Sequence, residues 1–287
     1  MLVTVGLAMP GMARAAACCM GATSALPTRV GECEQGVAAL AVRAESTMGW
    51  WDESGQPVEF EGYDEQATIG TLGLGMRLSR QWELQARLPV EQHTVETTTD
   101  AFSGGGVGDS RVLMLWDPLE ERPPDGKGAG PTPIAVLGAR LPTGRDWTES
   151  VDPMNADVTG VPHAALIVGA QVERTLGRWP WSVGSTAELD LGASGGLSGA
   201  GQTTATAGRY LGSSWTVLGV ATYATARAEG ARALVSSSSS SVGTRVVHGR
   251  TGRYRVWGGF DHGPNLAVLG RAAPRLSAAT MGYARVW

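Results

Sequence analysis

The sequence predicts an all-β protein, an antiparallel up-and-down transmembrane β-barrel of about twelve strands. Two observations predict this fold. Apolar and polar residues alternate with a period of two in many segments, as they do in strands with one apolar face. The links between these segments are alternately long and short, as in outer-membrane barrels, which have long outer loops and tight periplasmic turns.

Composition agrees with this class of protein. The chain of 287 residues contains 41 Gly and 10 Trp, and only 17% of its residues are charged, against about a quarter in soluble domains. Beyond the N-terminal segment, no run of about 18 apolar residues occurs, which argues against a transmembrane helix. The net charge of -4 indicates no basic patch, so nucleic acid is not an expected partner.

The N-terminus resembles a secretory signal. Residues 1–17 contain an apolar core followed by small residues at Ala15, Ala16 and Ala17, although the usual positive region before the core is missing. Residues 18–35 then form a cysteine-containing segment, and residues 36–287 form the predicted barrel.

All three cysteines lie in that early segment. In an oxidising compartment, we expect a disulfide from Cys33 to Cys19 or to Cys18, which would staple a short loop. Adjacent cysteines make a poor chelate without further ligands, so no metal site is predicted.

The clearest strands form a hairpin. Residues 81–90 alternate from Trp82 onward, residues 72–78 do the same, and Ser79 to Gln81 read as the turn between them. The remaining predicted strands are 36–46, 109–116, 134–141, 162–173, 181–191, 202–211, 214–227, 244–248, 253–260 and 277–287.

The links set the orientation of this barrel. The long links are 47–66, 91–105, 142–160, 192–201, 228–243 and 261–276. An even number of strands returns the C-terminus to the periplasmic side, where Trp287 would lie at the lipid interface.

The six serines of 236–241 are predicted to be a flexible tract in an outer loop. Link 117–133 is long where a short turn is expected, and we interpret it as a surface insertion.

Four stretches carry a family resemblance. These are SGGGVGDSRVLML at 103–115, LGARLPTG at 137–144, DVTGVP at 157–162, and a final strand that ends on an aromatic residue. In this order they resemble the outer-membrane barrel family named after the MetA pathway of phenol degradation. The glycines of the first stretch also predict a bend in the strand, with Asp109 pointing into the lumen.

The resemblance implies a transporter-like barrel in the outer membrane of a Gram-negative bacterium. Such a barrel would pass small, hydrophobic or aromatic molecules by diffusion, with no catalytic residues and no cofactor. Its partners would be the lipid bilayer, a small-molecule solute and, through the C-terminal strand, the barrel-assembly machinery.

Charged residues on the polar faces of the strands are the candidates for lining a pathway, because a water-filled barrel has polar inner walls. They are Glu83, Arg87, Asp109, Arg111, Arg140, His163, Glu173, Glu188, Asp190 and Arg227. The alternative is that they simply pair across strands.

An aromatic girdle at the lipid interface is predicted from Trp82, Trp116, Trp181, Trp215, Trp257 and Trp287. Arg285 departs from the pattern, because it falls on the face of Tyr283 and Met281, where an apolar residue is usual.

The sequence leaves two alternatives to a diffusion pathway. One is a structural or scaffold barrel, its lumen plugged by ion pairs or by residues 18–37. The other is a lipid-acting enzyme, which a Ser–His pair on the outer rim would favour. None of the four histidines has an acid and a nucleophile at a recognised spacing, and neither a nucleophile elbow nor HExxH occurs, so no enzyme is predicted.

Overall fold

The structure, a computed structural model, describes residues 29–30, 34–51, 56–58, 62–118, 131–146, 149–152, 156–191, 199–212, 214–228, 235–250, 253–263 and 273–287. None of these residues belongs to a helix that is long and apolar enough to cross a membrane.

The described residues form fourteen strands. They are β1 (Gly36–Trp51), β2 (Pro57–Val58), β3 (Tyr63–Arg77), β4 (Trp82–Thr97), β5 (Ala101–Val107), β6 (Ser110–Trp116), β7 (Thr132–Leu141), β8 (Ala165–Leu176), β9 (Trp179–Asp190), β10 (Gly199–Leu211), β11 (Trp215–Ala228), β12 (Val235–Arg250), β13 (Tyr254–His262) and β14 (Ala273–Val286).

These strands close into one antiparallel barrel, which confirms the predicted fold class. β14 pairs with both β13 and β1, so the sheet has no free edge there. β5 and β6 both pair with β4 and are two parts of one wall strand, while β2 is a short addition to β1. Counted this way, the part of the chain that the structure describes builds a barrel wall of twelve strands.

A bulge interrupts the wall between β5 and β6. Arg87 of β4 pairs with Arg111 and Val90 pairs with Val107, so residues 88–89 face the longer stretch 108–110. The extra residue bends the strand at the glycine-rich stretch where a bend was predicted.

Side chains alternate between the two faces of this wall. On β3, Leu72, Leu74 and Met76 are about half exposed on the outer face, while Gly73 and Gly75 between them are buried. Outward-facing apolar side chains recur around the barrel and form the band that contacts lipid in such folds.

Trp287 is held by the closure of the barrel. Its carbonyl oxygen accepts the N–H groups of Gln35 at 2.7 Å and Gly36 at 3.1 Å, and its own N–H donates to Gly36 at 3.1 Å. The last residue therefore continues the β1–β14 ladder, with its side chain 55% exposed on the outer face.

Several predicted strand boundaries were wrong, including the following three. Link 91–105 is a hairpin, since β4 continues to Thr97 and β5 begins at Ala101. The backbone of the six serines lies in β12, paired with β11. The strand predicted from Pro162 begins at Ala165. The first two errors share a cause: strand pairs that extend beyond an apolar band keep their backbone hydrogen bonds but lose the apolar alternation that identifies strands.

The two ends of the barrel differ. One end carries both chain ends of the barrel and tight turns such as 78–81 and 177–178, and we name it the short-turn end. The opposite end, which carries residues 142–164, is named the long-loop end. In outer-membrane barrels these correspond to the periplasmic and outer sides.

Candidate functional site

The inner wall of the barrel carries two apolar strips, although polar inner walls were expected. The first strip lies on β6, β7 and β8, where the alternation turns every second residue inward. It consists of Leu113, Leu115, Ile134, Val136 and Ile167, each at most 9% exposed.

The second apolar strip runs across β1, β11, β12, β13 and β14. Its members are Val37, Ala39, Ala41, Leu218, Val220, Val247, Trp257, Ala284 and Val286, and Val30 of the N-terminal segment packs with them. The interior is therefore partly apolar and closely packed along both strips, whose members are each at most 9% exposed.

Trp257 belongs to this strip and not to the outer girdle, so its predicted position was wrong. It is 2% exposed, whereas its neighbour Val256 is 43% exposed on the outer face. Trp257 pairs in register with Gly282, and a Cβ at Gly282 would collide with the indole. The glycine leaves the room that lets a large ring face inward.

Arg29, from the segment before β1, lies inside the barrel at the short-turn end. The guanidinium of Arg29 donates to the carboxylates of Glu83 on β4 at 3.1 Å and Glu173 on β8 at 2.9 Å. The backbone N–H of Val30 also donates to Glu83, at 3.1 Å. One guanidinium thus joins two separate wall strands through the lumen.

Further contacts fix this N-terminal segment. Arg77 donates to the carbonyl of Val30 at 2.8 Å, and Arg255 donates to the carbonyl of Arg29 at 2.8 Å. Arg255 also forms a buried ion pair with Glu34. We name the set of Arg29, Val30, Glu34 and their wall partners the Arg29 latch. A solute that moves along the barrel axis meets this latch at the short-turn end.

A second charged cluster lies near the long-loop end. Arg140 on β7 contacts three carboxylates: Asp109 at 2.9 Å, Glu188 at 3.0 Å and Asp190 at 2.5 Å. Arg111 adds a second contact to Glu188 at 2.8 Å. Two cations thus face three anions, and the Arg140 side chain is only 8% exposed.

Asp109 also connects this cluster to the loop between β7 and β8. Its carboxylate accepts the backbone N–H groups of Gly144 and Val161, both at 3.1 Å. Thr143 donates to the carbonyl of Gly108 at 2.7 Å, and Thr159 donates to that of Val107 at 2.7 Å. The three internal stretches that suggested a family resemblance therefore meet at one place, where residues of 142–164 fold over the bulge.

Asp157 anchors the same loop from within. It accepts hydrogen bonds from the Ser150 hydroxyl at 2.5 Å and the Val151 N–H at 3.1 Å, and Arg145 contacts it at 2.7 Å. The Ser150 hydrogen bond, with those from Val151 and Arg145, holds the pKa of the Asp157 carboxyl well below its ordinary value.

A third charged group lies on the inner wall at β1, β13 and β14. Arg43 forms ion pairs with Glu45 and, at 2.5 Å, with Asp261, and it also donates to Thr280 at 3.4 Å. Arg43 and Asp261 were not among the lumen residues predicted from the sequence. The alternation within strand 36–46 nevertheless puts Arg43 on the face of the strand opposite to that of Val42. Arg29 and Arg255 were also missed, because no local pattern shows which strands they join.

The structure places eight of the ten predicted lumen residues on the inner side: Glu83, Arg87, Asp109, Arg111, Arg140, Glu173, Glu188 and Asp190. Glu83 and Glu173 meet at Arg29, five others form the Arg140 cluster, and Arg87 bonds to Gln85 at 3.1 Å. His163 is exposed in the loop before β8. Arg227 has its backbone in β11, and its side chain lies outside the described part.

The remaining predicted girdle residues face outward at the short-turn end. Trp82 and Trp116 stack with ring centroids 6.1 Å apart, and Trp181, Trp215 and Trp287 lie on the same outer face. Cys18, Cys19 and Cys33 lie outside the described residues.

Comparison with known proteins gives structural likeness only. No protein-family model matches the chain, and no match was found among curated proteins. An outer membrane channel from Pseudomonas putida F1 superposes with a TM-score of 0.68 at 13% identity, covering 88% of this chain and 96% of that one. The translocator domain of the autotransporter NalP from Neisseria meningitidis gives 0.54 at 9% identity, covering 88% of each chain.

The β domain of the Bordetella autotransporter BrkA gives a TM-score of 0.50 at 13% identity, covering 88% of this chain and all of that one. At these identities the comparisons establish the fold. The chain has the fold of an outer-membrane β-barrel.

Proposed function

We propose that this protein is an outer-membrane barrel of the MetA-like type that lets small, predominantly apolar or aromatic molecules pass by diffusion. The two apolar strips on the inner wall are the observation that carries the proposal. A channel for hydrated solutes needs polar inner walls, whereas this interior packs apolar side chains such as Ile134 and Leu218. These two residues are 1% and 2% exposed, so a solute reaches them only as the interior side chains that cover them move aside.

The position of the charges supports the same function. The Arg140 cluster and the Arg29 latch lie near opposite ends of the barrel, and their charges are mostly engaged in ion pairs. Paired charges attract ions less than a ring of one sign does. An uncharged solute therefore loses less free energy than an ion does on passing these two groups of charges.

The test is uptake across an outer membrane, because small aromatics cross plain phospholipid bilayers unaided. The protein is expressed in a Gram-negative host, and entry of the neutral aromatic dye N-phenylnaphthylamine is followed by fluorescence. Ile134→Asn and Leu218→Asn are expected to slow dye entry about tenfold, since each replaces apolar contact with an amide that must be desolvated.

Thr206→Asn is the matched control, because it changes an inner-wall residue that is already polar and 8% exposed. Heat-shifted gel mobility confirms that each variant is folded. The proposal would be contradicted if the dye entered at the same rate in cells with the wild type, in cells with each folded variant and in cells without the protein.

A structural barrel with a filled lumen is the second candidate, and the Arg29 latch favours it. The two functions differ in one outcome. A filled scaffold gives no dye entry in the wild type, and Arg29→Gln then creates it. A diffusion pathway gives dye entry in the wild type before any change to the latch.

A further inference from the structure

The outer face of the barrel is positively charged on one side at the short-turn end. Arg174 on β8, Arg209 on β10 and Arg285 on β14 all point outward, on the same face as exposed neighbours such as Leu176, Leu211 and Tyr283. Among the described side chains that face outward on β8 to β14, none is acidic. Basic side chains clustered at a membrane surface attract anionic lipid headgroups.

Aromatic rings accompany these arginines. The guanidinium of Arg209 lies 5.3 Å from the ring centroid of Trp179, and Trp181 pairs in register with Arg174. Further along, the Trp215 and His248 rings are 4.4 Å apart and those of His248 and Tyr254 are 5.8 Å apart. Tyr254 in turn pairs in register with Arg285.

Seven consecutive strands thus each contribute one outward basic or aromatic side chain at the short-turn end, and we name this set the basic belt. Its members are Arg174, Trp179, Arg209, Trp215, His248, Tyr254 and Arg285. Tryptophan and tyrosine mark the headgroup level of a membrane. Toward the middle of the barrel the same strands present Val217, Val246 and Val256, which are exposed and apolar.

The outward faces of the strands β3, β4 and β6 in the other half of the barrel lack this charge, and the arginine there, Arg80, lies in the turn between β3 and β4. At the same level β3, β4 and β6 present Met76, Trp82 and Trp116 to the outside, and the described outward side chains there include no arginine. The basic belt is therefore a one-sided feature and not a ring that any membrane interface would require.

We propose that the basic belt binds the phosphate headgroups of anionic phospholipids in the periplasmic leaflet, with the acyl chains on the valines beside it. Guanidinium groups donate two parallel hydrogen bonds to phosphate, and they lie at the depth where headgroups lie. Arg285, which departs from the usual apolar pattern of a terminal strand, gains a role as one of three phosphate ligands.

The test is lipid retention by the full chain, refolded in detergent and examined by native mass spectrometry with equal amounts of phosphatidylglycerol and phosphatidylethanolamine. The wild type is expected to retain phosphatidylglycerol preferentially. The triple variant Arg174→Gln, Arg209→Gln, Arg285→Gln is expected to bind it about 10- to 100-fold more weakly.

Three further variants are compared in the same assay. The corresponding triple Arg→Lys variant keeps the charge and is expected to retain part of the preference. Arg80→Gln, in an exposed turn at the same end but on the other half, is expected to leave it unchanged. If the triple Gln variant does not give a heat-shifted, folded band, Arg209→Gln alone is expected to weaken retention.

Equal retention of both lipids by the wild type would overturn the proposal, as would an undiminished preference in the folded Gln variants. Competition by soluble glycerol phosphate would also overturn it, because it would indicate a site for a free phosphate and not for a membrane lipid.

Discussion

The guanidinium of Arg29 lies 2.9 Å from the carboxylate of Glu173, 144 residues away along the chain, and both groups are buried inside the barrel. The contact ties the segment before β1 to the far wall. It is one of the contacts that hold this segment inside the short-turn end of the barrel, so its loss is expected to change which solutes and ions pass through the interior.

Arg29→Gln is expected to release the segment and raise ion conductance. Removing one partner of a buried ion pair costs about 3–5 kcal/mol, because Glu83 and Glu173 would remain as unpaired buried charges. The open arrangement hydrates both carboxylates and becomes populated. Single-channel recording in planar bilayers measures the effect, with Arg80→Gln as the control. Conductance identical to wild type would show that the latch does not limit the opening.

Asp109→Ala is expected to detach residues 142–164 from the rim. The variant loses the ion pair with Arg140 and two charge-assisted hydrogen bonds from the backbone of the loop. Each such bond contributes about 1.5–3 kcal/mol, so cleavage of this loop by trypsin after Arg145 should accelerate at least about tenfold. Asp117→Ala, at the other end of the barrel, is the control. Cleavage of the variant at the wild-type rate would contradict the prediction that Asp109 holds this loop at the rim.

Gly282→Ala is expected to lower stability. Three indole atoms of Trp257 lie under 3.0 Å from the position of an added Cβ, and overpacking of this kind costs about 1–3 kcal/mol. Gly219→Ala is the matched control, since the nearest atom there is 3.6 Å away. The temperature at which the folded gel band disappears compares the two. A variant at Gly282 as stable as the control would mean that Trp257 does not fill that space.

The loop between β7 and β8 is expected to stay closed in mild acid. The native pKa of Asp157 is depressed below the ordinary 3.8, so its stabilising contribution is fully present above that value and is lost only as the pH falls well below it. Pepsin digestion at pH 4 should therefore spare the loop in the wild type and cut it in Asp157→Ala. Equal cleavage of both proteins at pH 4 would contradict the role given to this carboxylate.

The sequence was sufficient to predict the barrel and much of its inner surface. Alternation around Glu83, Arg111 and Glu188 reveals which side chains share a face, since a strand turns every second residue the same way. The glycines before Asp109 likewise indicated the bend. The face on which a side chain lies and the place where a strand bends depend on neighbouring residues in the chain, so both can be predicted from the sequence.

The errors have physical causes. Where both faces of a strand are apolar or small, as around Trp257, alternation gives no sign to distinguish inside from outside. The apolar strips were missed for that reason, because Leu113 and Ile134 sit between outward residues of the same character. The Arg29 latch depends on partners from four strands, β3, β4, β8 and β13, and only the closed barrel brings them together.

The most direct test of the central claim compares two solutes in the same cells. Entry of N-phenylnaphthylamine is measured beside hydrolysis of the anionic substrate nitrocefin by a periplasmic β-lactamase, with and without the wild-type protein. A pathway with apolar inner strips and paired charges predicts faster dye entry and little change in nitrocefin hydrolysis. Faster nitrocefin hydrolysis without faster dye entry would contradict it and indicate a water-filled pore for polar solutes.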